Sequence, residues 1–253
     1  MEHFYTFKIK HFKRWSIVVI LALFTATFLW FEQSSSFSVF SSKDDPSALT
    51  KGNADEPNIG LTFNISWGEE KVFDILKLLE KNGVQATFFV SGEWAERHPD
   101  ILEKISEGKH ELGMLGYRYK SYLDQDTEQV KKDLEKAKKI FKKLGYENMS
   151  LIRPPSGHFN KEIIELAEDR GLKVIHWNVN PVDWKNPGSD KIIDTVMKQT
   201  KNGDIILMHA SDTVTQTDDA LKTILKGLKN KDFQFVSISE LINQAHAESN
   251  QVE

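Results

Sequence analysis

The sequence predicts an α/β fold, and three observations predict it. Short β-rich runs alternate with amphipathic helical stretches from Asn58 onward, seven such runs can be counted, and the chemically capable residues gather just after them. The runs are Ile59–Phe63, Ala86–Val90, Glu111–Met114, Ser150–Arg153, Lys173–Asn178, Asp204–His209 and Phe233–Val236. Helical periodicity falls near 69–82, 94–107, 127–144, 160–170, 188–201 and 217–230. The clearest helix is 127–144, where Val130, Leu134, Ala137, Phe141 and Leu144 make one apolar stripe. Its solvated face carries Glu128–Lys132 and Glu135–Lys139 at i,i+4 spacing. Strands alternating with helices imply a parallel sheet with right-handed crossovers, so functional residues belong past the C-terminal strand ends. The pattern alone leaves a closed barrel and an open doubly wound sheet both standing.

Of 253 residues, 40% are hydrophobic and 28% charged, an ordinary globular balance. Lys and Arg number 33 against 37 Asp and Glu, a net charge of -4. No basic surface is implied, and no nucleic-acid partner is expected. Cysteine is absent, which excludes disulfides, thiolate metal sites and a cysteine nucleophile.

The N-terminus reads apart from the globular region. Trp15–Phe31 carries no charge, with Lys8, Lys10, Lys13 and Arg14 ahead of it and Glu32 behind. Basic residues before an apolar run keep the N-terminus cytoplasmic, so residues 1–14 are expected inside and 15–31 to be a transmembrane anchor. A cleaved signal peptide is the rival reading. Residues 32–57, rich in Ser, Asp and Asn, are expected to be a flexible linker, 58–245 the domain and 246–253 a disordered tail. The domain would work close to the outer membrane face.

Five segments after strand ends carry unusual residues: 62–68, 114–119, 153–160, 180–184 and 207–212. Arg153, Asp183, Trp184 and His209, gathered at strand ends, suggest a polar pocket with an aromatic wall. Each has a bland reading: Pro154-Pro155-Ser156-Gly157 as a turn, His209 as a hydrogen-bonded rim residue, Asp183 as a helix cap or a partner of Arg153. The eight histidines show no metal-binding spacing, and His98, His158 and His176 read as surface or packing residues. No Gly-x-Ser-x-Gly elbow follows a strand.

Thr62-Phe63-Asn64, Arg153-Pro154-Pro155-Ser156-Gly157, Asp183-Trp184 and Leu207-Met208-His209, in that order, resemble the polysaccharide deacetylase family (the NodB homology domain, carbohydrate esterase family four). The resemblance spans about residues 57–245, and looks closest to PdaB-type sporulation deacetylases. It implies a distorted seven-stranded (β/α) barrel that removes N-acetyl groups from cell-wall glycan, with spore peptidoglycan as the expected partner. The family's divalent, zinc-like metal is held by one Asp and two His; an adjacent Asp is the base and a His protonates the leaving amine.

Matched residue by residue, the base position is Asn64 and the metal positions are Ile65, Leu115 and Tyr119. No metal is therefore expected from the usual ligands. His209 matches the general acid. Arg153, Pro154 and Pro155 match the groove wall, Asp183 and Trp184 the pair that orients and packs it, and Leu207 lies in the same groove. What is retained holds a sugar; what is replaced makes hydroxide. Two functions stay open: an enzyme with unconventional chemistry, and a non-catalytic glycan-binding or scaffold protein. A surface protein whose barrel only supports partner contacts is a third.

Overall fold

The computed structural model describes residues 47–249. The anchor expected at 15–31, the basic segment before it and the first part of the linker lie outside the described residues, as do 250–253. Among the described residues no helix is long and apolar enough to cross a membrane.

Among the described residues seven parallel strands appear where the β-rich runs predict them. They are β1 (Asn58–Ile65), β2 (Thr87–Val90), β3 (Glu111–Met114), β4 (Leu151–Ile152), β5 (Lys173–Val174), β6 (Ile205–His209) and β7 (Gln234–Val236). The sheet runs β5-β4-β3-β2-β1-β6, with β7 against β1. Gly60 pairs with both Ile205 and Val236, so β6 and β7 flank β1 on opposite edges, and β7 shares its edge with β2.

The helices are α1 (Lys71–Asn82), α2 (Gly92–Arg97), α3 (Pro99–Glu107), α4 (Thr127–Lys143), α5 (Lys161–Glu168), α6 (Ser189–Gln199), α7 (Thr217–Lys229) and α8 (Ile238–Ser249). Two differ from expectation. The stretch 94–107 is two helices, because Pro99 has no N–H to continue the ladder and starts a new helix at its N-terminus. Helix α8 was not expected, and it carries the backbone to Ser249, past the expected domain end at 245. Glu111 on β3 holds its start: a carboxylate oxygen accepts from the Ile238 N–H at 2.9 Å and from Thr87 Oγ1 at 2.8 Å. On α4, Glu128 makes its direct ion pair with Lys131, with Lys132 also near enough to lower its pKa, and Glu135 pairs with Arg170.

Strand alternation sorts the core into two layers. Ile59, Leu61, Phe63 and Ile65 face the helices, with Phe88, Val90, Ile206 and Met208 from neighbouring strands. Phe89, Leu115, Leu151, Ile175, Ile205 and Val236 fill the barrel, where Ile238 and Leu241 join them. The interior is so full that a Cβ on Gly113 would sit 2.5 Å from the Phe89 ring.

The barrel is distorted where β5 and β6 meet. Among the described residues no ladder joins them; the segment after β5 meets β6 through an isolated bridge between Val179 and Ile206, with Leu207 N–H donating to Val179 O at 2.9 Å, and through Asn178, whose Oδ1 accepts from the Ile205 N–H at 2.9 Å. Lower down, the expected linker fills the gap. Leu49 pairs with Ile175 and Lys51 with Asp204, whose carboxylate also takes the Lys51 ammonium at 3.2 Å. From Leu49 onward the segment is thus tied to the sheet, because two open strand edges offer it partners.

Candidate active site

Inward-facing residues at the C-terminal strand ends build the site. On β1, Thr62 and Asn64 point inward opposite Leu207 and His209 of β6, their register partners. Arg153 follows β4 and is fully buried. Its guanidinium lies 4.1 Å over the Phe89 ring and 5.3 Å from that of Trp177. Nη1 donates to Asn64 Oδ1 at 2.9 Å, Nη2 to the His176 carbonyl at 3.0 Å, and Nε to the Ile175 carbonyl at 3.4 Å. Among the described residues no carboxylate pairs with it, and burial draws its pKa down to about 9.

Asp183 is also fully buried, in a short 3₁₀ turn (Asp183–Lys185) entered through Val182 at φ 56°. It neither caps α6 nor meets Arg153. Oδ1 lies 2.7 Å from His209 Nδ1, while Oδ2 accepts from the His209 backbone N–H at 2.8 Å and from Thr217 Oγ1 at 2.7 Å. A carboxylate there accepts the Nδ1 proton and leaves Nε2 as the available nitrogen of the imidazole.

Asn64, Leu207 and His209 border a cavity of about 530 Å³, a size usual for small-molecule sites, with Arg153 and Asp183 buried behind its walls. Asn64, Leu207, His209, Trp177, Tyr119 and Trp184 are among its walls. Trp67 and Trp184 stand 61% and 52% exposed at the rim, where a flat ligand could stack. Tyr119 is presented by a loop that Asp133 anchors, accepting from the Tyr117 and Arg118 N–H groups at 2.8 and 3.0 Å. A groove of about 560 Å³ between α1 and α3 carries none of the strand-end residues.

Most of the residues singled out in the sequence converge here. Pro154 and Pro155 do not line the cavity; they are buried and shape the turn that presents Ser156 at φ 60°. His158, read as a surface or packing residue, is exposed and also lines the cavity, and Trp177 was not anticipated as a wall. An aromatic beside His176 at the end of a β-rich run was the available signal.

The positions matched to metal ligands do not fit a metal. Ile65 and Leu115 are hydrocarbons at 0% exposure, Ile65 in the helix-facing layer and Leu115 inside the barrel. Neither offers a lone pair, and Tyr119 alone would supply one weak oxygen ligand. Among the described residues no group of three His, Asp or Glu could hold a metal ion.

Comparison with known proteins places the chain. A family model described as polysaccharide deacetylase matches residues 51–175. A peptidoglycan-N-acetylglucosamine deacetylase of Bacillus cereus is 32% identical over 76% of this chain and 91% of its own length. The protein YlxY of Bacillus subtilis is 28% identical over 79% of this chain, which spans 61% of that relative. Among solved structures, BA3943 of Bacillus anthracis, described as a CE4 family pseudoenzyme, superposes with a TM-score of 0.73 at 29% identity, covering 78% of this chain and 69% of that one. A mutant of the same protein is described as having restored enzymatic activity.

Proposed function

Because the chain belongs to the polysaccharide deacetylase family, we propose that its cavity binds N-acetylated cell-wall glycan without conventional metal-dependent deacetylation. One observation carries the reading: Asn64, Trp184, Leu207 and His209 border one cavity, while the positions matched to the metal and base hold Ile65, Leu115, Tyr119 and an amide. When bound in a family member, the metal supplies an activated water. Here Asn64 offers no base, because an amide takes up no proton at neutral pH. Trp184 and Trp67 supply stacking faces, and Arg153 fixes the floor of the groove through Asn64. The peptidoglycan substrate named for the Bacillus cereus relative supports the glycan class, and the pseudoenzyme neighbour supports loss of turnover within this fold. We place the domain outside the cytoplasm, held by the apolar segment at 15–31, with spore peptidoglycan as its glycan.

The dyad of Asp183 and His209 favours a second reading, a residual hydrolase in which His209 delivers a proton to a leaving amine. Acetate release by the full-length protein from peptidoglycan and N-acetylglucosamine oligomers, with zinc or with chelator, separates the two. Sacculus binding with no release supports the binding protein. Chelator-insensitive release that His209→Ala abolishes supports the hydrolase. Chelator-sensitive release overturns the argument from the replaced ligands, and absence of sacculus binding overturns both readings.

A further inference from the structure

The Arg153–Asn64 contact fixes which way the amide of Asn64 faces. A guanidinium only donates, so the atom 2.9 Å from Nη1 is the oxygen, and turning the amide over would set donor against donor beside a buried charge. Oδ1 is therefore occupied. Nδ2 keeps two N–H donors that meet no acceptor among the described residues, on a side chain that lines the cavity. Behind it stands a guanidinium that no carboxylate neutralises among the described residues. A carboxylate at position 64 would accept from Arg153 and still turn an acceptor oxygen toward the ligand. The amide turns a donor toward it instead.

We propose that Asn64 makes the cavity a reader of the acetylation state: its Nδ2 donates to the carbonyl oxygen of an intact acetamido group, and the same wall rejects the free amine of a deacetylated sugar. An acetamido oxygen has lone pairs for the Asn64 N–H groups. A glucosamine ammonium has only donors, and its charge meets that of Arg153 across one amide. This rests on the glycan-binding reading and adds a specificity to it. The reader keeps hold of material that deacetylases have not processed and releases what they have.

The test is calorimetric binding of the β-1,4-linked tetramer of N-acetylglucosamine and of the glucosamine tetramer to the full-length protein. The net charge of -4 biases long-range attraction toward the cationic amine oligomer, so preference for the neutral one comes from the site. Wild type is expected to bind the acetylated tetramer at least tenfold tighter. Asn64→Asp, which keeps the shape and gives Arg153 a counter-charge, is expected to erase or reverse that preference. Equal binding of both tetramers by wild type, or an unchanged preference in N64D, overturns the reader while leaving glycan binding intact. No binding of either tetramer overturns the glycan-binding reading itself. Circular dichroism and thermal melting of N64D separate a changed preference from a misfolded protein.

Discussion

The carboxylate of Asp183 grips His209 at two points, ring and backbone, with Oδ1 on Nδ1 at 2.7 Å and Oδ2 on the peptide N–H at 2.8 Å. Two attachments fix the imidazole in orientation as well as position, and the Thr217 hydroxyl ties α7 to the same oxygen. A buried acid with three hydrogen bonds is a structural joint between the turn after β5, the end of β6 and α7. Asp183→Ala leaves those donors buried and unpaired. It is expected to cost about 3 kcal/mol, read as a lower midpoint in urea denaturation. A loss under about 1 kcal/mol would mean that water replaces the carboxylate.

Trp184 is half exposed, and the Lys185 ammonium lies 4.9 Å from its ring. Its removal therefore touches the ligand more than the fold. Trp184→Ala is expected to weaken binding of N-acetylated oligomers about tenfold, with stability shifted by less than about 0.5 kcal/mol. Titration calorimetry and thermal melting check the two halves. Unchanged affinity would remove Trp184 from the groove.

Arg153 is a buried cation held by neutral acceptors. Supplying a counter-charge through Asn64→Asp is expected to stabilise the fold by about 1–2 kcal/mol at neutral pH, measured by urea denaturation. The pairing lowers the folded-state pKa of the new carboxylate below its unfolded value of about 3.9. The gain is therefore full above that value and lost as pH falls through the folded value. A neutral or destabilising result would mean that the carbonyls of Ile175 and His176 already satisfy the guanidinium.

His110 is buried beside Phe88, and its pKa is lowered from 6.5 to about 4 by desolvation. Its Nδ1 accepts from the Ala86 N–H at 3.3 Å, which requires that nitrogen unprotonated. Below pH 6.5 the unfolded chain takes up a proton that the folded one refuses. Stability is thus expected to be fully present above pH 6.5 and to decline between 6.5 and about 4. Burial lowers the His176 pKa too, and adds to the same slope. His110→Asn keeps an acceptor for Ala86 and is expected to flatten that decline in melting temperature against pH. An unaltered slope would assign it to other groups.

Much of the barrel was legible in the sequence, since each strand is a short β-rich run bordered by amphipathic helix. What escaped depends on partners remote in the chain. Helix α8 was missed because Glu111, on β3, holds its start. The linker hid a sheet contact because Leu49 gains meaning only beside Ile175. In the site, the sequence paired His209 with a groove but offered Arg153 as a partner for Asp183. The barrel interior decides otherwise, setting Arg153 over Phe89 and against Asn64. Pro154 and Pro155 were read as walls because their motif neighbours one; they are the bend that makes Ser156 available.

The isolated bridge between Val179 and Ile206 marks a seam in the barrel. The pairings on either side of β1 are multi-residue ladders, whereas here an isolated bridge and the side chain of Asn178 join the two walls. Without a ladder, the seam relies on side chains to stay closed. Asp183 and His209 stand just past it on opposite sides. Their hydrogen bonds therefore act as the clasp of the seam, and opening it would part the acid from its imidazole while the ladders around β1 stay shut.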